Sequence, residues 1–191
     1  MNKEFWNIFN ERYYPNLDHR AETFTLMFSY LDNLNKDKYL IVETGTTRNI
    51  NDFLDGNSTL MFDQYCQINN GITYTIDLDP EACKVARENT SNNTIVCLND
   101  SVKFLHEMSN PEQVDLLYLD SFDLDWDDPH PSAMHHIREL VSIYAKLKPG
   151  CLIVVDDNNN NKGKGQYVSE FLEQVGAKLY FDEYQIGYIK K

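Results

Sequence analysis

A chain of 191 residues, 42% hydrophobic and 25% charged, has the size of one domain and enough apolar material for a core, which excludes global disorder. Its 30 acidic against 17 basic side chains leave a formal charge of −13, a field that repels nucleic-acid backbones and anionic membrane surfaces. No basic cluster interrupts that field and no run approaches the ~18 apolar residues of a membrane span, so neither nucleic acid nor membrane is expected as a partner.

From the N-terminus, residues 5–9 and 20–34 read as an aromatic-rich helical extension, with Phe24, Met27, Phe28 and Leu31 on one helical face. Short β-branched and aromatic runs follow at 39–43, 72–77, 94–98, 114–120 and 151–156. They alternate with helical patterns at 58–67, 80–89, 101–108, 132–147 and 166–175, several opened by Ser or Pro. Such alternation predicts a parallel sheet covered on both faces. The last two strands, 178–182 and 185–189, are separated by Glu183 and Tyr184 alone, too little for a crossover helix, so they form an antiparallel hairpin.

The expected architecture is α/β: a Rossmann-like, seven-stranded, mostly parallel sheet with a C-terminal antiparallel hairpin and helices on both faces. Residues 1–191 form a single domain, with 1–37 as a helical extension covering the cleft. Its aromatic residues, Trp6, Tyr13 and Tyr14 among them, either line the substrate pocket, pack in the core, or meet a second subunit of a homo-oligomer. The Asn- and Lys-Gly-rich stretch at 158–165 reads as a mobile loop beside the pocket. Cys66, Cys83, Cys97 and Cys151 show no CxxC or Cys-His spacing, and Glu4 stands where a signal peptide would be apolar. Both features point to a cytoplasmic protein with reduced, mostly buried thiols.

Ligands of an open parallel sheet bind beyond the carboxyl ends of its strands, and here acids stand at almost every such end. Glu43 closes the first strand, Asp77 the second, Asp120 the fourth and Asp156-Asp157 the fifth, while Asp100-Ser101 follows the third. A carboxylate closing the second strand suits both ribose hydroxyls of an adenosine, a need shared by NAD and S-adenosylmethionine. The first loop separates the two ligands. A pyrophosphate needs Gly-x-Gly-x-x-Gly so that amides can approach it, whereas this loop offers Gly45 and then Gly56. The amino-acid head and sulfonium of S-adenosylmethionine suit Glu43, a glycine turn at Gly45-Thr46 and a negative cleft. Gly56-Asn57-Ser58-Thr59 either presents amides and hydroxyls to the methionine carboxylate or is a plain helix cap.

In order and spacing, Val42-Glu43-Thr44-Gly45, Tyr74-Thr75-Ile76-Asp77-Leu78-Asp79-Pro80, Asn99-Asp100-Ser101, Asp115-Leu116-Leu117-Tyr118-Leu119-Asp120 and Leu147-Lys148-Pro149-Gly150 resemble the successive motifs of class I S-adenosylmethionine-dependent methyltransferases. With the terminal hairpin, the resemblance covers residues 38–189. It implies a methyltransferase with Glu43, Gly45, Thr46, Ser58, Asp77, Asp100 and Ser101 around the cofactor. The first loop departs from the pattern, being long and lacking the usual second glycine.

Asp120 followed by Asp156-Asp157 is further similar to metal-dependent O-methyltransferases of the catechol, macrolide-sugar and cephalosporin-tailoring kinds. That likeness implies a hydroxylated small-molecule substrate and a divalent metal held by Asp120, Asp156 and Asp157. Adjacent strands lie about 4.8 Å apart, so the three carboxylates converge and repel unless neutralised. An all-oxygen set selects Mg²⁺ first, then Mn²⁺ or Ca²⁺, which would lower the pKa of the attacking substrate oxygen. The lysine that catechol-type enzymes place three residues beyond the first metal acid is Asp123 here. The base candidates beside Asp120 are therefore His130 and His135, while His136, four residues before Leu140, reads as a packed histidine.

Three weaker patterns are set aside. Asp123, Asp125 and Asp127 open like a calcium loop, but Asp128 and Met134 stand where glycine and glutamate are needed. Asp128-Pro129-His130-Pro131 lacks the aromatic residue of base-nitrogen methylases, and Lys162-Gly163-Lys164-Gly165 lacks the Ser or Thr of a phosphate loop. The rivals that share the sheet are an NAD-linked oxidoreductase and a non-catalytic S-adenosylmethionine-binding module.

Overall fold

A computed structural model of the chain describes residues 2–50, 52–53, 57–159 and 162–191. The helices α1 (Lys3–Ile8) and α2 (Ala21–Leu34) are joined by a π-helical run, Phe9–Tyr13, and two 3₁₀ turns, Tyr14–Asn16 and Asp18–Arg20. There follow β1 (Tyr39–Thr44), α3 (Ser58–Ile68), β2 (Gly71–Asp77), α4 (Pro80–Asn89), β3 (Thr94–Leu98), α5 (Ser101–Glu107), β4 (Leu116–Leu119), α6 (His130–Ile143) and β5 (Leu152–Val155). The chain ends with β6 (Asn158–Asn159), β7 (Lys162–Gly163), α7 (Gln166–Gln174), β8 (Lys178–Asp182) and β9 (Ile186–Ile189).

The main sheet has seven strands in the order β3-β2-β1-β4-β5-β9-β8. β1 pairs in parallel with β2 and β4, and β4 with β5, while β9 runs antiparallel to both β5 and β8. The doubly wound sheet and its terminal hairpin are those expected. β4 and β5 are shorter than the apolar runs suggest, although the flanking Asp115 and Asp120 amides still bond to the Leu40 and Thr44 carbonyls of β1, at 2.8 and 3.0 Å.

Alternation along β1 divides the core between the two faces. Ile41 joins the layer formed with α1, α2 and α3, and Leu40 and Val42 face the layer beneath α5, α6 and α7. The first layer is a stack of rings: Phe28 lies 4.7 Å from Phe5, 5.4 Å from Phe9 and 5.2 Å from Tyr65, centroid to centroid.

The N-terminal segment thus lies on the sheet face rather than over the cleft. Its Phe5, Phe9, Phe24 and Phe28 are core residues, Trp6 is tied by its indole N–H to Asp32 at 2.8 Å, and Arg20 is the residue of this segment that reaches the cavity at the strand ends described below. Burying so many rings stabilises more than laying them over a solvated mouth.

The stretch at 158–165 is not the expected open loop. Asn158–Asn159 pairs antiparallel with Lys162–Gly163; Asn160 and Asn161 lie outside the described residues. Asn158 is fully buried and donates to Asp182 Oδ1 at 3.0 Å. Gly163 has φ +98°, and a Cβ there would stand 2.1 Å from the Asp157 carbonyl oxygen. Only glycine permits that return, and it delivers the next residue, Lys164, back to the end of β5.

Candidate active site

The carboxyl ends of β1, β2 and β4 open on a cavity of about 550 Å³, within the roughly 300–1,000 Å³ range of small-molecule clefts. On its first side stand Gly45, Thr46, Ser58 and Asp77. Gly45 has φ +84°, and a Cβ would lie 2.6 Å from the Asp120 carbonyl oxygen, so the β1 turn and the β4 end approach only through glycine. Asp77 accepts from the Thr46 amide at 3.2 Å and the Asp79 amide at 2.8 Å. Burial pushes its carboxyl above the usual range even so.

Glu43 does not line this cavity. It is 1% exposed and accepts from the hydroxyls of Ser58 and, at 2.7 Å, Thr59, so it pins the start of α3 against β1. Burial pushes its pKa up to about 7 against those hydroxyls. Gly56, expected beside Ser58 at the methionine carboxylate, lies outside the described residues.

Asp120, Asp156 and Asp157 do converge, but around two cations that sequence reasoning missed. Lys164 Nζ lies 2.5 Å from Asp120 Oδ1 and 3.0 Å from Asp157 Oδ2. Arg20 donates from Nε to both Asp156 oxygens, and from Nη2 to Asp157 Oδ1, all at 2.9 Å. Tyr118 and Tyr184 add hydroxyl donors to Asp156 Oδ2 and Asp157 Oδ1, each at 2.9 Å. Burial opposes the Lys164 ammonium, but Asp120, Asp157 and Asp156 raise its pKa above the ordinary value, so it stays charged. The Asp157 carboxyl is held below its usual range, since Lys164 and Arg20 outweigh its burial.

This arrangement bears on the expected metal. Every oxygen of Asp156 and Asp157 already accepts from a protein donor, and an ammonium sits between Asp120 and Asp157. Among the described residues no group of three His, Cys, Asp or Glu side chains is poised to hold a metal ion. As arranged, these carboxylates do not fit a divalent cation, and the repulsion anticipated between them is relieved from within the chain. The signal was present in the sequence as lysines directly after the fifth strand, but the loop reading hid it; Arg20 left no local signal.

The remaining expected site residues are placed away from the cavity. Asp100 caps α5, accepting from the Lys103 amide at 2.8 Å, and the Ser101 hydroxyl bonds His135 Nε2 at 3.2 Å. His135 is also held by Glu139 Oε1 at 3.2 Å, one turn along α6. Glu139 is fully buried and accepts from Ser121 and Thr44 as well, so the group ties α5 and α6 to the ends of β1 and β4. His130 bonds the Tyr167 hydroxyl at 2.7 Å on the surface. Neither candidate base lines the cavity, because each is drawn to a partner on the helical layer.

His136 is a packed histidine, as expected: it is fully buried, with Nδ1 2.7 Å from the Ser132 carbonyl. Burial pulls its pKa from 6.5 to about 4, so between those values the folded state binds fewer protons than the unfolded chain. Its contribution to stability is complete above pH 6.5 and is lost as pH falls to about 4. Relative to His136→Gln, the parent is expected to lose on the order of 3 kcal/mol across that window, read from urea titrations at several pH values; parallel curves would refute it.

No protein-family model and no curated protein matches this sequence. Solved structures do. The O-methyltransferase NovP superposes with a TM-score of 0.62 at 14% identity, covering 87% of this chain and 78% of its own. The calicheamicin methyltransferase CalS11 gives 0.61 at 13%, covering 98% and 90%. MycE, a methyltransferase of mycinamycin biosynthesis solved with Mg, S-adenosylhomocysteine and mycinamycin VI, gives 0.60 at 12% over 90% of this chain, which spans about half of MycE (48%). Strand order, terminal hairpin and these superpositions together show that the chain has the α/β fold of the S-adenosylmethionine-dependent methyltransferases.

Proposed function

We propose that this protein is an S-adenosylmethionine-dependent methyltransferase acting on a hydroxyl oxygen of a small molecule. The observation that carries the reading is the placement of Asp77 and Asp120 on one cavity, an acid suited to an adenosine at its first side and a half-buried acid paired with a buried lysine at the other. Five aspartates and three basic residues line it, a net negative field suited to a sulfonium and unsuited to a pyrophosphate. The cavity's size suits a small molecule, and NovP, CalS11 and MycE support the methyltransferase reading.

The residues present fit such a cofactor. Asp77 would accept from the ribose hydroxyls, and the Gly45-Thr46 turn and Ser58 would meet the amino-acid head. When bound, S-adenosylmethionine would supply an electrophilic methyl group to the substrate oxygen and keep the electron pair of the carbon–sulfur bond as its neutral thioether. Asp120 is positioned to take the hydroxyl proton: its Oδ1 is held by Lys164, and Oδ2 has no donor among the described residues. The fold's contribution is then alignment of oxygen, carbon and sulfur.

Calorimetric titration with S-adenosylhomocysteine, beside NAD, is the test. Micromolar binding of the first and none of the second is expected, followed by methyl transfer from S-adenosylmethionine to members of a polyhydroxylated panel. Binding of NAD alone would overturn the reading.

A further inference from the structure

Buried lysines are costly unless their ammonium is neutralised and hydrogen-bonded, and Lys164 is 3% exposed. Its place is specific. Gly163 turns the chain so that the Lys164 amide donates to the Asp157 carbonyl at 3.1 Å, and the side chain then runs between the ends of β4 and β5. An ammonium has three N–H donors. Two are directed at Asp120 Oδ1 and Asp157 Oδ2, at 2.5 and 3.0 Å. The third has no acceptor among the described residues, and Lys164 lines the cavity beside Asp120 and Tyr184.

We propose that Lys164 is a built-in replacement for a divalent cation: its ammonium bridges Asp120 and Asp157 and presents its remaining N–H to the substrate's hydroxyl oxygen. Asp156 and Asp157 balance Lys164 and Arg20, and Asp120, whose carboxyl is raised by burial well above its usual range, adds one negative charge when ionised. A fixed ammonium at that point stabilises negative charge growing on the oxygen as its proton passes to Asp120, as a bound metal would. The choice between the two is made by the chain, because Lys164 follows the paired strands β6 and β7 on the Gly163 turn and fills the gap between the carboxylates. The identity of the oxygen rests on the methyltransferase reading; the charge replacement does not.

The test is Mn²⁺ titration followed by electron paramagnetic resonance, in which bound ion loses the sharp six-line signal of the free ion. The parent is expected to leave the signal unchanged to millimolar Mn²⁺. Lys164→Ala vacates the space between three carboxylates and is expected to bind Mn²⁺ at least tenfold more tightly than the parent. Lys164→Gln, which retains a donor for Asp120 while losing the charge, is expected to gain binding in the same direction and serves if the alanine variant does not fold. Micromolar Mn²⁺ binding by the parent overturns the proposal, as does failure of a folded variant to gain affinity. Should the variants gain Mn²⁺ while the parent binds no S-adenosylhomocysteine, the charge replacement stands and the methyltransferase reading falls.

Discussion

Asp77→Ala is expected to weaken S-adenosylhomocysteine binding by about 10- to 100-fold, the loss that follows when hydrogen bonds to a charged acceptor are removed. The same change should leave the fold at least as stable at neutral pH. Burial raises the Asp77 pKa above its unfolded value, so the folded chain pays for ionising it as pH rises past that unfolded value, and alanine removes the cost. Calorimetry and thermal melting on one sample separate the two effects. An unchanged dissociation constant would remove Asp77 from the ribose, and a large fall in melting temperature would make its role structural.

The second large effect belongs to stability. Arg20→Ala is expected to destabilise the protein by about 3–5 kcal/mol, the range for breaking a buried ion pair from one side. Asp156 is 3% exposed and would keep only Tyr118 and its neighbouring amide as donors, while Asp157 would lose one of its two cations. Arg20→Lys retains the charge but not the three-bond geometry, and should fall between alanine and the parent. Urea unfolding measures both; a loss below about 1 kcal/mol for alanine would mean that water replaces the guanidinium, as at an exposed pair.

The sheet was legible because its information is local. Runs such as 39–43 and 151–156 carry β-branched and aromatic residues at strand length, and two residues between 178–182 and 185–189 leave only a hairpin. Asp77, the last residue of β2, and Asp120, just past the end of β4, were legible on the cavity for the same reason, since a strand's end is known closely once the strand is. What escaped depends on contacts between distant segments. Glu43 stands at the expected strand end, yet the hydroxyls of Ser58 and Thr59 close over it, which strand periodicity does not reveal. His135 sits on α6 as expected, but Glu139 and Ser101 hold it away from the cavity. The three carboxylates were seen to need neutralisation; that Lys164 and Arg20 supply it depends on a glycine with positive φ in a hairpin read as loop, and on a turn ahead of α2.

The pairing of Arg20 with Asp156 spans 136 positions of sequence, and that distance has a consequence during synthesis. At roughly 5–20 residues per second, Arg20 leaves the ribosome on the order of ten seconds before its partner. Until β4 and then β5 emerge, the aromatic face of α2 lacks first Tyr118 and then Leu152 and Val154, which complete its layer. The nascent chain thus carries an unfinished, ring-rich surface until β5 emerges, and long-range closure of this kind slows folding. A chain arrested before β5 therefore has neither the sealed core nor the charge cluster.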